Sequence, residues 1–128
     1  MKVKVERNHA LDACTITHEA VRLETVDDVG EWRTQLMDEM EAEVGFDRVY
    51  LLVDYAGFWV NPGVAEEYGK VAEELRQRYA KEVFRYGAVD PLSAASARLQ
   101  SMKHAHRSNV FGTRLEAITA LNKLRAGR

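Results

Sequence analysis

Three features of the sequence predict an α/β fold built on a mixed sheet. The stretch Arg48-Val-Tyr-Leu-Leu-Val-Asp-Tyr-Ala-Gly-Phe58 holds an apolar run, Val49 to Val53, with no polar alternation. A strand of that composition is covered on both faces, which puts it inside a sheet flanked by helices. Beyond the N-terminus, extended and helical patterns alternate, as strand–helix–strand crossovers and parallel pairing require. The N-terminus itself carries two strand patterns in succession, the mark of an antiparallel hairpin at a sheet edge. The expectation is a single domain with a parallel core, an N-terminal hairpin, roughly four to five strands and about four helices.

Taken in order, Val3 and Val5 alternate with Lys2, Lys4 and Glu6, a half-buried strand. Asn8-His9 turns the chain, and Leu11 to Thr17, rich in Thr and Ile, returns as the second strand. Its inward face is either Leu11 and Ala13 or Cys14 and Ile16; the pattern leaves both open. Val21 and Leu23 add a short extended piece. Thr25 or Asp27 caps the first helix, with Asp28 and Glu31 near its positive end. Val29, Trp32, Leu36, Met40 and Val44 recur at spacings of three and four, a single apolar stripe, and Gly45 is its stop.

After the central strand, Asn61-Pro62-Gly63 opens the second helix, with Asn61 as cap and Pro62 at the first helical position. Its buried stripe is Val64, Tyr68, Val71, Ala72, Leu75 and Tyr79. Lys81 to Gly87 forms a second inner strand that ends in Arg85-Tyr86. A loop from Gly87 to Pro91 leads into a third helix carrying Leu92, Ala95, Leu99 and Met102 on one side. Asn109-Val-Phe111 is a short strand, and Thr113 caps a last helix with Ala117, Ile118, Leu121 and Leu124 facing inward.

The totals narrow the function classes. A hydrophobic fraction of 46% with 30% charged residues suits a soluble globular protein in 128 residues. The net charge of −2 gives no global attraction to nucleic acid or membrane. Locally the charge is split: acidic residues crowd Glu24 to Val44, with Arg33 the lone base, and basic residues crowd Arg98 to Arg128, with Glu116 the lone acid. That basic segment has no interleaved exposed aromatics, so no nucleic-acid partner is expected. Cys14 is the single cysteine, in a strand-like run, and is expected to be a buried small hydrophobe in a reducing compartment. With no apolar leader and no long apolar run, the expected location is the cytoplasm.

The residues that carry chemistry gather after the inner strands. Asp54 and Arg85 end what should be neighbouring parallel strands, Tyr55 and Tyr86 follow them, and Asn61 and Gly63 open a helix close by. Two readings stand side by side. In one, Arg85 and the helix N-terminus bind a carboxylate or phosphate between tyrosine walls. In the other, Arg85 pairs with Asp54 and pins the rim. Phe58 and Trp59, just past the central strand, are candidate aromatic anchors of an interface. His104 and His106 sit two apart, so on a helix they point in different directions, and no Cys or acid lies close in sequence to complete a set. No metal or cofactor is expected. His9 and His18, beside the hairpin, are expected at the surface.

The order of elements resembles the STAS fold, that of anti-anti-sigma factors and anion-transporter tails. The chain is also similar to the small C-terminal domain of some bacterial acyl-CoA:ketoacid CoA-transferases. The resemblance rests on Val53-Asp54-Tyr55 with Phe58, Tyr68, Arg78-Tyr79, Val83 with Arg85-Tyr86, and Val110-Phe111 followed by Arg114 to Ala117. It implies a STAS-like domain that acts as a non-enzymatic protein-interaction or regulatory module. One departure matters. Anti-anti-sigma factors carry a phosphorylatable Ser where the strand hands over to the helix; here that place reads Val60-Asn61-Pro62-Gly63, with no hydroxyl. The alternative is a binding domain for a small acidic metabolite or acyl-CoA-like ligand at the carboxyl end of the central strands. The charge split and Trp59 add a homodimer to the expected partners.

Overall fold

A computed structural model describes residues 1–87 and 110–127. The elements are β1 (Lys2–Asn8), β2 (Ala13–Glu19), β3 (Val21–Leu23), α1 (Val26–Val44), β4 (Val49–Asp54), β5 (Phe58–Val60), a 3-10 turn (Pro62–Val64), α2 (Ala65–Tyr79), β6 (Ala80–Tyr86) and, as the third α-helix described, α3 (Arg114–Ala126). The predicted helix around Leu92 to Met102, together with His104 and His106, lies outside the described residues.

The main sheet runs β1-β2-β4-β6. The β1–β2 pair is antiparallel, whereas β2–β4 and β4–β6 are parallel. The apolar run of β4 therefore occupies an interior strand, and Val49 to Val53 are all buried. Past β6, Val110 adds a parallel bridge to Arg85, tied by the Phe111 amide donating to the Arg85 carbonyl at 2.7 Å.

Because successive strand residues point to opposite faces, the sheet sorts its side chains into two layers. Val3, Val5, Cys14, Ile16, Leu51, Val53 and Val83 pack under α1 and α2. Ala13, Tyr50, Leu52, Phe84 and Tyr86 pack under Ala117 and Leu121 of α3. The question left open for β2 is thereby answered both ways: Cys14 and Ile16 fill one layer, and Ala13 the other. The buried Cys14 thiol has its pKa pushed up to about 11, mainly by burial, so it packs as a small hydrophobe.

Local chemistry explains the helices. Thr25, not Asp27, caps α1: its hydroxyl accepts from the Asp28 amide at 3.2 Å, and the Asp28 carboxylate accepts from the Thr25 amide at 3.0 Å. This reciprocal box satisfies two orphan amides at the helix start. Gly45 ends the helix with φ +64°, a conformation a Cβ would oppose. Arg33 of α1 reaches Glu74 of α2 through two bonds, at 2.8 and 2.6 Å, and fixes one helix beside the other.

One element differs from expectation. Phe58 to Val60, read as the end of the central stretch and a loop, forms β5 and pairs in parallel with β3 in a separate two-stranded sheet. Three residues between Gly57 and Asn61-Pro62 are too few to carry a periodic signal. Gly57 makes the approach feasible: at φ +71° its missing Cβ would lie 2.8 Å from the His18 carbonyl oxygen. The ribbon brings Tyr55 and Phe58 against the carboxyl end of β2.

Candidate functional site

The β4–β6 register decides the geometry of the predicted rim. Val53 pairs with Arg85, and Asp54 pairs with Tyr86. Asp54 and Arg85 are thus one residue out of step and project to opposite faces of the sheet. Among the described residues no ion pair joins them. The Asp54 carboxylate instead turns back to accept from the Ala56 amide at 2.9 Å. Tyr86 lies on the α3 side, where burial and the Asp54 charge raise its pKa and Arg114 pulls it back.

Asn61 and Gly63 are engaged with each other. The Asn61 side-chain oxygen accepts from the Gly63 amide at 2.9 Å, and its side-chain nitrogen donates to the Glu24 carbonyl at 3.3 Å. The amide expected to face an anion is already capped, and α2 proper begins only at Ala65. Phe58, proposed as an interface anchor, is buried in the monomer's core. Trp59 is half-buried, with the Arg22 guanidinium 4.5 Å above its ring.

Arg85 shares a face with Val53 and Val83, under α1 and α2, and only 3% of it is exposed. Around it stand His18 from β2, Tyr55 from the end of β4, Trp32 from α1 and Tyr68 from α2. Together with Ile16, Leu36, Val53, Ala72, Leu75 and Val83 they enclose a cavity of about 20 Å³. His18, expected at the surface, is buried. The signal for it was present: His18 is two residues after Ile16, so whichever face buries Ile16 also takes His18.

The polar atoms of this cluster are unevenly served. The Tyr55 and Tyr68 hydroxyls are hydrogen-bonded to each other. Burial raises the Tyr68 pKa well above the ordinary phenol value, and the Arg85 charge beside it opposes that rise. His18 Nδ1 lies 2.8 Å from the Asp54 carbonyl oxygen. A carbonyl only accepts, so Nδ1 carries the proton and Nε2 is left a bare acceptor while the ring is neutral. The ring is held neutral: burial lowers the His18 pKa to about 4, against smaller opposing contributions from the Asp54 carbonyl and charge. Four buried side-chain nitrogens have no hydrogen-bond partner among the described residues: Arg7 Nε, away from this cluster, and His18 Nε2, Trp32 Nε1 and Arg85 Nη1. The last three belong to residues lining this one cavity.

Such atoms are costly. A buried donor or acceptor without a partner forfeits about 1–3 kcal/mol, and more if charged. The cluster thus leaves two donors, on Arg85 and Trp32, and one acceptor, on His18, without partners among the described residues. Sequence reasoning found Arg85 and Tyr55 but assigned them to the rim, and it missed His18, Trp32 and Tyr68 as members of one site. Among the described residues no helix is long and apolar enough to cross a membrane. No protein-family model matches the chain, and no curated protein does.

Proposed function

We propose that this chain is a non-enzymatic, STAS-like regulatory module whose input is a small acidic ligand held at the carboxyl ends of β2, β4 and β6. The observation that carries the proposal is Arg85: a guanidinium 3% exposed, with Nη1 unpartnered among the described residues, in a cavity lined by two further unpartnered nitrogens. A buried cation is retained at a cost of several kcal/mol unless something pairs with it. A carboxylate is the natural partner, since guanidinium geometry matches it. The STAS-like part draws support from the order of elements and the parallel β4–β6 pair. In the anti-anti-sigma factors that the chain resembles, the input is phosphorylation at the strand-to-helix turn. Val60-Asn61-Pro62-Gly63 has no hydroxyl, so ligand occupancy takes that role. The cavity of about 20 Å³ has room for about one water, so even the smallest acid enters only if the lining side chains shift, and an acyl-CoA-like ligand would have to lie outside it.

The test is thermal unfolding with and without propionate at fixed pH and ionic strength. A ligand that binds only the folded state raises Tm with its concentration. Wild type should respond, and Arg85→Gln should bind about tenfold more weakly or worse, as for loss of a charged hydrogen bond. No shift with formate, acetate or propionate would overturn the proposal. Should Arg85→Gln fail to fold, Arg85→Lys keeps the charge, loses the planar fork and should weaken binding in the same direction.

A second reading, interaction between copies, has one observation in its favour: Trp59 remains half-buried on the β3–β5 ribbon. Charge pairing does not favour a two-fold dimer. The acidic α1 and the basic residues Arg114, Lys123 and Arg125 of α3 lie on opposite faces of the sheet. Contacts between opposite faces are head-to-tail and generate open stacks, whereas a two-fold dimer uses one face twice. The homodimer reading therefore rests on Trp59.

A further inference from the structure

We propose that copies of this chain join head to tail, with the exposed Phe46 of one copy seated in the groove along α3 of the next. The inference is independent of the Arg85 site and uses a different surface from Trp59.

Phe46 is fully exposed, at 105%, whereas Phe58 and Phe84 are buried. The turn that carries it is tied on both sides. The Gly45 amide donates to the Glu41 carbonyl at 3.0 Å, and the Asp47 amide donates to the Val44 carbonyl at 3.2 Å. The Arg7 guanidinium donates to the Asp47 carboxylate at 3.3 Å. These bonds fix the backbone around Phe46 and hold its ring outward. The acids beside the ring add a second signal. Cations suit the negative end of a helix. The last turn of α1 has none, and the exposed Glu41 and Glu43 stand there instead. Of the bases close in sequence or space, Arg7 is paired with Asp47 and Arg48 turns to the Ala80 carbonyl at 2.6 Å. The end of α1 is short of positive charge, which a neighbouring molecule can supply.

The groove on α3 has the complementary character. Phe111, Leu115, Glu116, Thr119, Ala120 and Lys123 line an open volume of about 380 Å³. That is the size of a small-molecule cleft and admits a phenyl ring, unlike the cavity of about 20 Å³ under α1 and α2. Phe111 is braced against Phe84 of β6, with ring centroids 6.2 Å apart. Leu115 is 74% exposed, so apolar surface is open to a partner. Glu116 at one end is engaged with the Thr113 hydroxyl at 3.3 Å. Lys123 at the other enters no salt bridge among the described residues, and Arg125 shares its turn. Acids around the ring and bases beside the groove make the two surfaces complementary in charge. Both halves of the contact lie on one chain, so the occupant is a second copy. Because α1 and α3 cover opposite faces of the sheet, the contact is heterologous and repeats without closing.

Sedimentation velocity of the full chain up to about 1 mM tests this, since a contact of this size is weak. Wild type should pass through dimers to larger species as concentration rises. Phe46→Ser and Leu115→Ser, both at exposed sites, should keep the wild-type circular dichroism melt and self-associate about tenfold more weakly or worse. Mixed one to one, the two variants should form a heterodimer and nothing larger, because the intact groove of the first accepts the intact ring of the second. Lys123→Glu, or raising NaCl from about 0.05 M to about 0.5 M, should also weaken association. A wild type that stays monomeric or stops at two would overturn the inference, as would a Phe46→Ser variant that associates like wild type or a mixture that stays monomeric. A dimer lost in Trp59→Ala but kept in Phe46→Ser would overturn it in favour of the β3–β5 ribbon.

Discussion

His18 makes acid stability the most direct probe of the buried cluster. The group is buried and neutral in the fold, with its pKa lowered to about 4 from 6.5, chiefly by desolvation. In the unfolded chain it titrates near the ordinary value. The sign follows from proton counting. Below about pH 6.5 the unfolded chain gains a proton that the folded chain refuses, so stability falls with falling pH, and the loss stops near pH 4, where the folded state titrates too. Between about pH 8 and pH 5 the loss from this group alone is about 2 kcal/mol, rising to about 3 kcal/mol near pH 4. The assay is urea unfolding across that range, in buffers free of carboxylic acids, which are the ligands proposed for the site. Surface carboxylates with lowered pKa values, such as Asp28 and Glu74, add their own acid loss, but in a lower window. Comparison with His18→Gln removes them: the variant should lack the loss between about pH 6.5 and pH 5. Equal pH dependence in the two proteins would mean that His18 is protonated or exposed in the fold, and the burial argument would fall.

Two further outcomes follow from the fold. Leu51→Asp should abolish cooperative unfolding, because an unpaired charge would enter the layer under α1 and α2 between Cys14 and Val83; circular dichroism melts that match wild type would show that β4 is not interior. If copies associate through the β3–β5 ribbon, sedimentation of wild type should reveal a concentration-dependent dimer that Trp59→Ala loses, with Tm changed by only a few degrees; a wild type that stays monomeric at every concentration would sink the dimer.

Much of the architecture was written in local patterns. The unbroken apolar run of β4, the three-and-four spacing of α1 and α2, and the Thr25 and Thr113 caps each act within a few residues, so the sequence displays them directly. The candidate site depended on register, which is not local. Asp54 and Arg85 look like a matched pair only if the strands end level; a one-residue offset sends Arg85 to the α1–α2 layer and Asp54 to the other. The same parity could have located the site. Ile16 and His18, Val53 and Tyr55, Val83 and Arg85 are three pairs two apart, each an apolar residue followed by a polar or aromatic one. Trp32 and Tyr68 lie on the stripes expected to face inward. What the sequence withheld was that all five converge, because that needs the three strands set side by side.

The cost of that convergence is the strongest reason to look for a ligand. An apolar residue at position 85 would pack the layer between Val53 and Tyr68 without removing a charge from water, and such replacements of buried ions are often neutral or stabilising. The stability of the fold therefore gives no account of Arg85. Its hydrogen bond to Tyr68 serves part of the guanidinium, and Nη1 is still left without a partner among the described residues. His18 is held in part by structure, since its Nδ1–H satisfies the Asp54 carbonyl at 2.8 Å, but its Nε2 has no partner among the described residues. Two titratable side chains kept at an energetic cost, one cationic and one poised to accept a proton, share a single cavity with an indole donor. Arg85→Leu should then raise Tm in the absence of acid while abolishing the response to propionate. A variant less stable than wild type at about pH 7.5, where His18 is neutral in both states, would show instead that Arg85 is structural.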